Sequence, residues 1–259
     1  MSPSSSSSPS SADARNRIFA RIREGLGRTQ ASALQARREV AAYAEAPPPL
    51  VIPARGQIVA PRLVDAFLLA AQEVAATVER IASVARVPHG IADHLTRLGL
   101  PPEAHLAPET RLAAIPWERR PTLVLRRGLP EPGEVPPLAS VTGAFAGIAE
   151  TGTVMLVSGP QHPPRLNLLP EAQIVVLWSE QIVGCYEEAW SRLQAEVEAG
   201  ERPGPLPATV MLVTGPSRTG DVEMTLQKGA HGPRHLHIIL VDGGIPGDGG
   251  DGVLREDGL

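Results

Sequence analysis

Three stretches in the second half of the chain carry residues able to do chemistry. The first is Ala149-Glu150-Thr151-Gly152-Thr153. A carboxylate beside two hydroxyls and a glycine can act as a base, a nucleophile or an anchor for a cationic group. Gly152 lets a substrate approach the backbone. The plainer reading is a polar hairpin turn with Glu150 accepting backbone N–H groups. The second stretch holds Gly215, Ser217, Arg218, Thr219, Gly220 and Asp221. Small residues expose backbone N–H groups, and a helix starting near Thr219 would favour an anion, reinforced by Arg218. Capping by Ser217 or Thr219, with Asp221 and Glu223 complementing the first turn, is the plainer reading. The third centres on His231, between Gly229-Ala230 and Gly232-Pro233. Such a turn can present an imidazole for proton transfer near neutral pH, or simply hold a surface histidine.

Other residues carry weaker signals. His235 and His237 share a strand face and, with His231, hint at a metal site. No cysteine stands near and no acid has a telling spacing, so no metal is assigned. Arg165 either contacts an anion or braces its loop. Cys185 reads as a small apolar residue at a helix start. Neither G-x-G-x-x-G nor a P-loop occurs within 50–241, and the G-D-G-G-D-G at 247–252 lies in the Gly-rich tail with no strand-to-helix context.

Strands and helices must position these loops. Residues 153–160 read T-V-M-L-V-S-G-P, and residues 209–216 read T-V-M-L-V-T-G-P. Apolar runs without polar alternation suit strands covered on both faces. The Ser/Thr-Gly-Pro ends stop each strand and turn the chain. We therefore expect two central strands delivering glycine-rich loops to one rim. A hairpin is predicted, with one strand ending at Glu150, a turn at Thr151-Gly152 and the next strand over Thr153–Val157. Strands are also predicted at 77–81, 122–125, 174–178, 210–213 and 235–241. Helices are expected after Pro61, over Pro88–Leu98, and along a face marked by Ile182, Tyr186, Ala189, Trp190, Leu193 and Val197. Residues 103–121 are ambiguous, 129–137 form a candidate flap, and 159–171 read as a loop. This alternation predicts an α/β fold of three layers, with a mostly parallel sheet and a hairpin within it.

The flanks differ in composition. Residues 1–12 form a Ser/Pro tail expected to be disordered. Residues 13–46 form an Arg-rich helical arm and a proline linker, read as a solvated helix or as a docking helix for a partner. The globular domain spans 50–241, and 242–259 is a flexible Gly-rich tail. The net charge of −4 removes any general attraction to nucleic acid or anionic lipid. The single cysteine cannot form an internal disulfide or, alone, hold an iron–sulfur cluster. No run nears the ~20 apolar residues of a membrane span. A cytoplasmic setting is expected.

The segments A-E-T-G-T (149–153), G-P-S-R-T-G-D-V-E (215–223) and G-A-H-G-P (229–233) resemble motifs of the lactate utilization protein C family (LutC/YkgG, the LUD domain). The family wording is close to I-A-E-T-G-T, G-P-S-x-T-A-D-I-E and G-V-H-G-P, in that order. Gly220, Val222 and Ala230 depart from it without removing a functional group. The resemblance implies a NagB/RpiA/CoA-transferase-like fold. It also implies an accessory role in oxidation of L-lactate to pyruvate, beside partner subunits that hold the iron–sulfur clusters. The chain would bind a small carboxylate or phosphate-bearing ligand, or a partner, with Glu150, Asp221 and His231 as its catalytic candidates. Thr151, Gly152, Thr153, Arg165, Gly215, Ser217, Arg218, Thr219 and Gly220 would be the ligand contacts. Two alternatives stand beside this. One is a CoA-transferase-like enzyme using Glu150 of an E-x-G arrangement as nucleophile. The other is a structural module that docks through the arm.

Overall fold

The computed structural model describes residues 11–27, 29–46, 51–131, 134, 138–202, 206–219, 227–228 and 232–243. The chain forms two compact units, Met1–Val51 and Ile52–Leu259. The first holds two helices, α1 (Ser11–Gly25) and α2 (Gln30–Glu45). The arm thus holds two helices, the first ending at Gly25, after which Gly27 takes a φ of +62°. Thr29 caps α2 reciprocally: its hydroxyl accepts from Ser32 N–H at 3.1 Å and its own N–H donates to Ser32 Oγ at 2.9 Å. Helix α1 reaches back to Ser11, so the end of the expected Ser/Pro tail is helical.

In the second unit the strands are β1 (Thr77–Ile81), β2 (Glu103–Leu106), β3 (Val124–Arg127), β4 (Ala139–Gly143), β5 (Ala146–Ile148) and β6 (Thr153–Val157). They continue with β7 (Ala172–Trp178), β8 (Ile182–Val183), β9 (Val210–Val213), β10 (Arg218–Thr219), β11 (Gln227–Lys228) and β12 (His235–Val241). The helices are α3 (Leu63–Glu73), α4 (Val87–Arg97), α5 (Thr110–Ala113), α6 (Arg165–Leu168) and α7 (Tyr186–Glu198).

A six-stranded sheet runs β1-β12-β7-β4-β2-β3, and every pairing in it is parallel. The apolar runs at 174–178 and 236–241 suit interior strands, because both faces of β7 and β12 are covered. Ile174, Val176, Trp178, Ile239 and Val241 pack on one side with Ile91 and Leu95 of α4. Val175, Leu177, Ile238 and Leu240 pack on the other with Phe67 of α3 and with Val154 and Leu156. The mixed α/β fold with a mostly parallel sheet is therefore as predicted.

Three local expectations are corrected. The hairpin β5–β6 forms, but not within the parallel sheet. It belongs to a second sheet ordered β8-β5-β6-β9, whose far face packs on Ala189 and Leu193 of α7. The echo strands β6 and β9 are direct antiparallel neighbours, with Val154 opposite Val213 and Val157 opposite Val210. Their Gly-Pro ends therefore lie at opposite ends of the pair, not on one rim. Finally, Ile182 belongs to β8 instead of α7, and Trp190 is 38% exposed. Helical spacing alone placed both on the buried side.

Candidate functional site

The chain reverses its direction across the sheet between β2 and β4. From β2 it moves outward to β3, and from β4 inward to β7 and then β12. Such a reversal leaves a crevice beyond the strands' carboxyl ends, where open α/β sheets bind ligands. A cleft of about 690 Å³ lies here. Glu109 and Arg111 line it from the segment after β2, Ala144 and Phe145 from the segment after β4, and His162 and Arg192 complete it.

Glu109 is only 5% exposed. Burying a carboxylate is costly unless donors replace water. Here Gly143 N–H donates to Oε1 at 2.8 Å, and His162 Nδ1 lies 3.1 Å from the same oxygen. Glycine at 143 leaves room for this carboxylate, since a Cβ there would overlap Glu109 Oε2. His162 ends a tight turn in which Gly159 and His162 exchange backbone hydrogen bonds of 3.3 and 3.0 Å. Gln161 Oε1 accepts from the Thr110 N–H and hydroxyl, both at 3.3 Å, and so ties this turn to α5. Buried amides brace the surroundings. Gln181 donates to the Ala144 carbonyl at 2.6 Å, and Gln173 donates to Asn167 Oδ1 at 2.9 Å. Arg202 is held by Glu196 at 2.7 Å and sits 5.0 Å over the Phe145 ring. Arg192 donates to the Glu180 carbonyl at 3.3 Å. Arg111 enters no ion pair among the described residues.

Sequence reasoning missed this cleft. Glu109 fell in the ambiguous 103–121 stretch and His162 in a segment read only as loop. The available signal was a histidine in a Gly-Pro turn, the pattern that drew attention to His231.

The residues singled out in the sequence lie elsewhere. Neither the 150–153 corner, nor Arg165, nor the 215–218 segment lines this cleft. Glu150 Oε1 accepts from Arg55 Nε at 2.9 Å, with the carboxylate side chain 4% exposed. A Cβ on Gly56 would come 3.1 Å from Glu150 Oε2 and 3.0 Å from Cys185 Cβ. Glu150 thus anchors a cationic side chain and a close-packed segment. Thr151 Oγ1 lies 2.8 Å from Tyr186 Oη and 2.7 Å from Thr153 Oγ1, which is 2.7 Å from Thr214 Oγ1. The two glycine corners do meet, but over α3 and not over an open crevice. A Cβ on Gly152 would overlap the Ala70–Ala71 backbone, and one on Gly215 the Val74 carbonyl.

Ser217 N–H donates to the Pro233 carbonyl at 2.8 Å. Arg218 and Thr219 form β10, paired antiparallel with β11, so no helix starts at Thr219. Gly220, Asp221 and His231 lie outside the described residues. Arg165 is exposed at the start of α6. Cys185 is fully buried at the N-cap of α7, and burial raises its thiol pKa. His237 stacks on His94, with ring centroids 3.8 Å apart. No group of three or more His, Cys, Asp or Glu able to hold a metal occurs among the described residues. No helix among them is long and apolar enough to cross a membrane.

One prediction follows from the anchor. Arg55→Ala leaves the Glu150 carboxylate buried without its cation, at a cost of about 1–3 kcal/mol. Thermal unfolding should show a lowered melting temperature, and an unchanged one would mean that Arg55 contributes nothing there.

An α/β unit with a ligand-sized cleft at a strand reversal defines the class of protein. Comparison with known proteins narrows it. Residues 137–241 match the family model described as LUD domain. An uncharacterized protein of Neisseria meningitidis serogroup B is 39% identical over 105 residues, which is 40% of this chain and 42% of that protein. Lactate utilization protein C 1 of Bacillus mycoides is 38% identical over 102 residues, 39% of this chain and 42% of that protein. The match thus spans less than half the length of either relative. The crystal structure of a DUF162 family protein from Deinococcus radiodurans covers 71% of this chain and 99% of its own, at 25% identity and a TM-score of 0.49. The matched segment takes in all three motifs, so the resemblance to the LUD domain holds over 137–241.

Proposed function

We propose that this chain serves lactate utilization as an accessory subunit that binds a small anionic ligand. One observation carries this. The LUD segment, shared with proteins named lactate utilization protein C, includes β4, β7 and the Gly159–His162 turn, which border the cleft. The single cysteine, wholly buried, supports leaving iron–sulfur chemistry to partner subunits.

Growth tests this proposal. A strain lacking the gene should fail on L-lactate yet grow on pyruvate, and the wild-type gene should restore growth. His162→Ala should not restore it. Asp221→Ala and His231→Ala, in the same assay, test the two candidates outside the described residues. Normal growth of the deletion strain on lactate would remove the proposal. The alternative, in which Glu150 attacks a thioester, has less support, because that carboxylate is covered and paired with Arg55. Trapping of an acyl-Glu150 by hydroxylamine after acyl-CoA addition would revive it.

A further inference from the structure

We infer that the cleft between the β2 and β4 ends binds a short 2-hydroxy or 2-oxo carboxylate, with His162 as its polar contact and Glu109 as the residue that positions His162. The ligand class rests on the lactate proposal, whereas the site itself rests on geometry. The sheet reverses its winding where Glu109 emerges. A carboxylate only accepts, so the 3.1 Å contact with Glu109 Oε1 places a proton on His162 Nδ1. The other ring nitrogen, Nε2, is then left for a ligand. The imidazole is 33% exposed, so it can be reached while its partner stays covered.

Nε2 suits the ligand's 2-oxygen, since it accepts from a hydroxyl when neutral and donates to a carbonyl when protonated. The ligand carboxylate needs a cation, and a guanidinium matches it in a bidentate fork. Arg202 is committed to Glu196, but Arg111 and Arg192 line the same cleft without a carboxylate partner among the described residues. The cleft's 690 Å³ corresponds to roughly twenty water volumes. A three-carbon acid fills only part of that, so longer 2-substituted acids should also fit.

Titration calorimetry on the full-length protein tests this with L-lactate, pyruvate, 2-hydroxybutyrate and inorganic phosphate as probes. The wild type should bind at least one of the carboxylates. His162→Ala and Arg111→Ala should each weaken that binding roughly ten- to a hundred-fold. Arg111 is exposed, so its variant keeps the test decisive if a change at His162 disturbs folding. Glu109→Ala removes the acceptor that faces His162 Nδ1. Nitrogen NMR of His162 should then show loss of the Nδ1-protonated form, which a merely structural role would not move. Absence of binding by every carboxylate, or undiminished binding by both His162→Ala and Arg111→Ala, would overturn the inference. Binding of phosphate alone would overturn the ligand class. Carboxylate binding without a growth defect in the deletion strain would sink the lactate role and leave this site standing.

Discussion

Gly152→Ala should leave little folded protein. Two costs combine at this position. Its φ is +64°, a left-handed conformation that costs a residue with a Cβ about 1–2 kcal/mol. The added Cβ would also overlap the Ala70–Ala71 backbone of α3, and a helix backbone cannot rotate aside as a side chain can. Overpacking of that kind costs about 1–3 kcal/mol. The sum is a large share of the roughly 5–15 kcal/mol that holds a typical domain together. Gly99→Ala is the control. Gly99 has a φ of +70° but nothing within 4 Å of its would-be Cβ, so it carries only the backbone cost. Soluble yield and urea midpoints separate the two. Equal losses in both variants would show that crowding against α3 contributes nothing. Loss of function in a Gly152 variant should accordingly be read as unfolding before it is read as lost ligand contact.

Acidification from pH 6.5 toward pH 4 should cost the protein several kcal/mol through one pair of rings. His94 and His237 stack with 5° between their planes and are 4% and 2% exposed. Burial lowers the His94 pKa to about 4, helped by Arg97 and His235. Burial likewise lowers that of His237 to about 3, helped by His94 and Arg97, with Thr77 acting the other way. Glu79 Oε2 is 3.9 Å from His237 Nε2, too far for a hydrogen bond. Both folded values lie below the unfolded value of about 6.5, so folding favours the neutral rings. Their contribution is complete above that pH. It falls away as pH drops, because the unfolded chain takes up protons that the fold excludes. Each ring loses about 1.4 kcal/mol per pH unit in that window. His94→Phe keeps a stacked ring but no longer titrates. Urea unfolding at a series of pH values should give the variant a shallower slope than the wild type. An identical slope would acquit the pair.

Much of the fold was legible because it rests on local apolar patterning. The runs at 174–178 and 235–241 read as strands, and β7 and β12 are adjacent interior strands of the sheet. What sequence could not show was which strands neighbour one another. The matching octapeptides suggested two central strands with their loops on one rim, yet β6 and β9 pair antiparallel, which sends their Gly-Pro ends apart. The candidate site suffered for the same reason. Glu109 and His162 are 53 positions apart and neither belongs to a recognisable motif. Only the winding of the sheet brings them within 3.1 Å. Glu150, by contrast, stood out by its neighbours, and the contact that explains it comes from Arg55, 95 positions earlier.

Synthesis delivers the pieces of this sheet in an awkward order. Strand β1 has one neighbour in it, β12, which also zips along the full length of β7. Roughly 150 residues separate the end of β1 from the start of β12. At about 5–20 residues per second, a ribosome leaves β1 waiting on the order of 10–30 s for its companion. Through that interval the nascent chain displays an unpaired edge open to other chains. The protein therefore commits to its final architecture late, and shielding by chaperones during elongation should raise its yield.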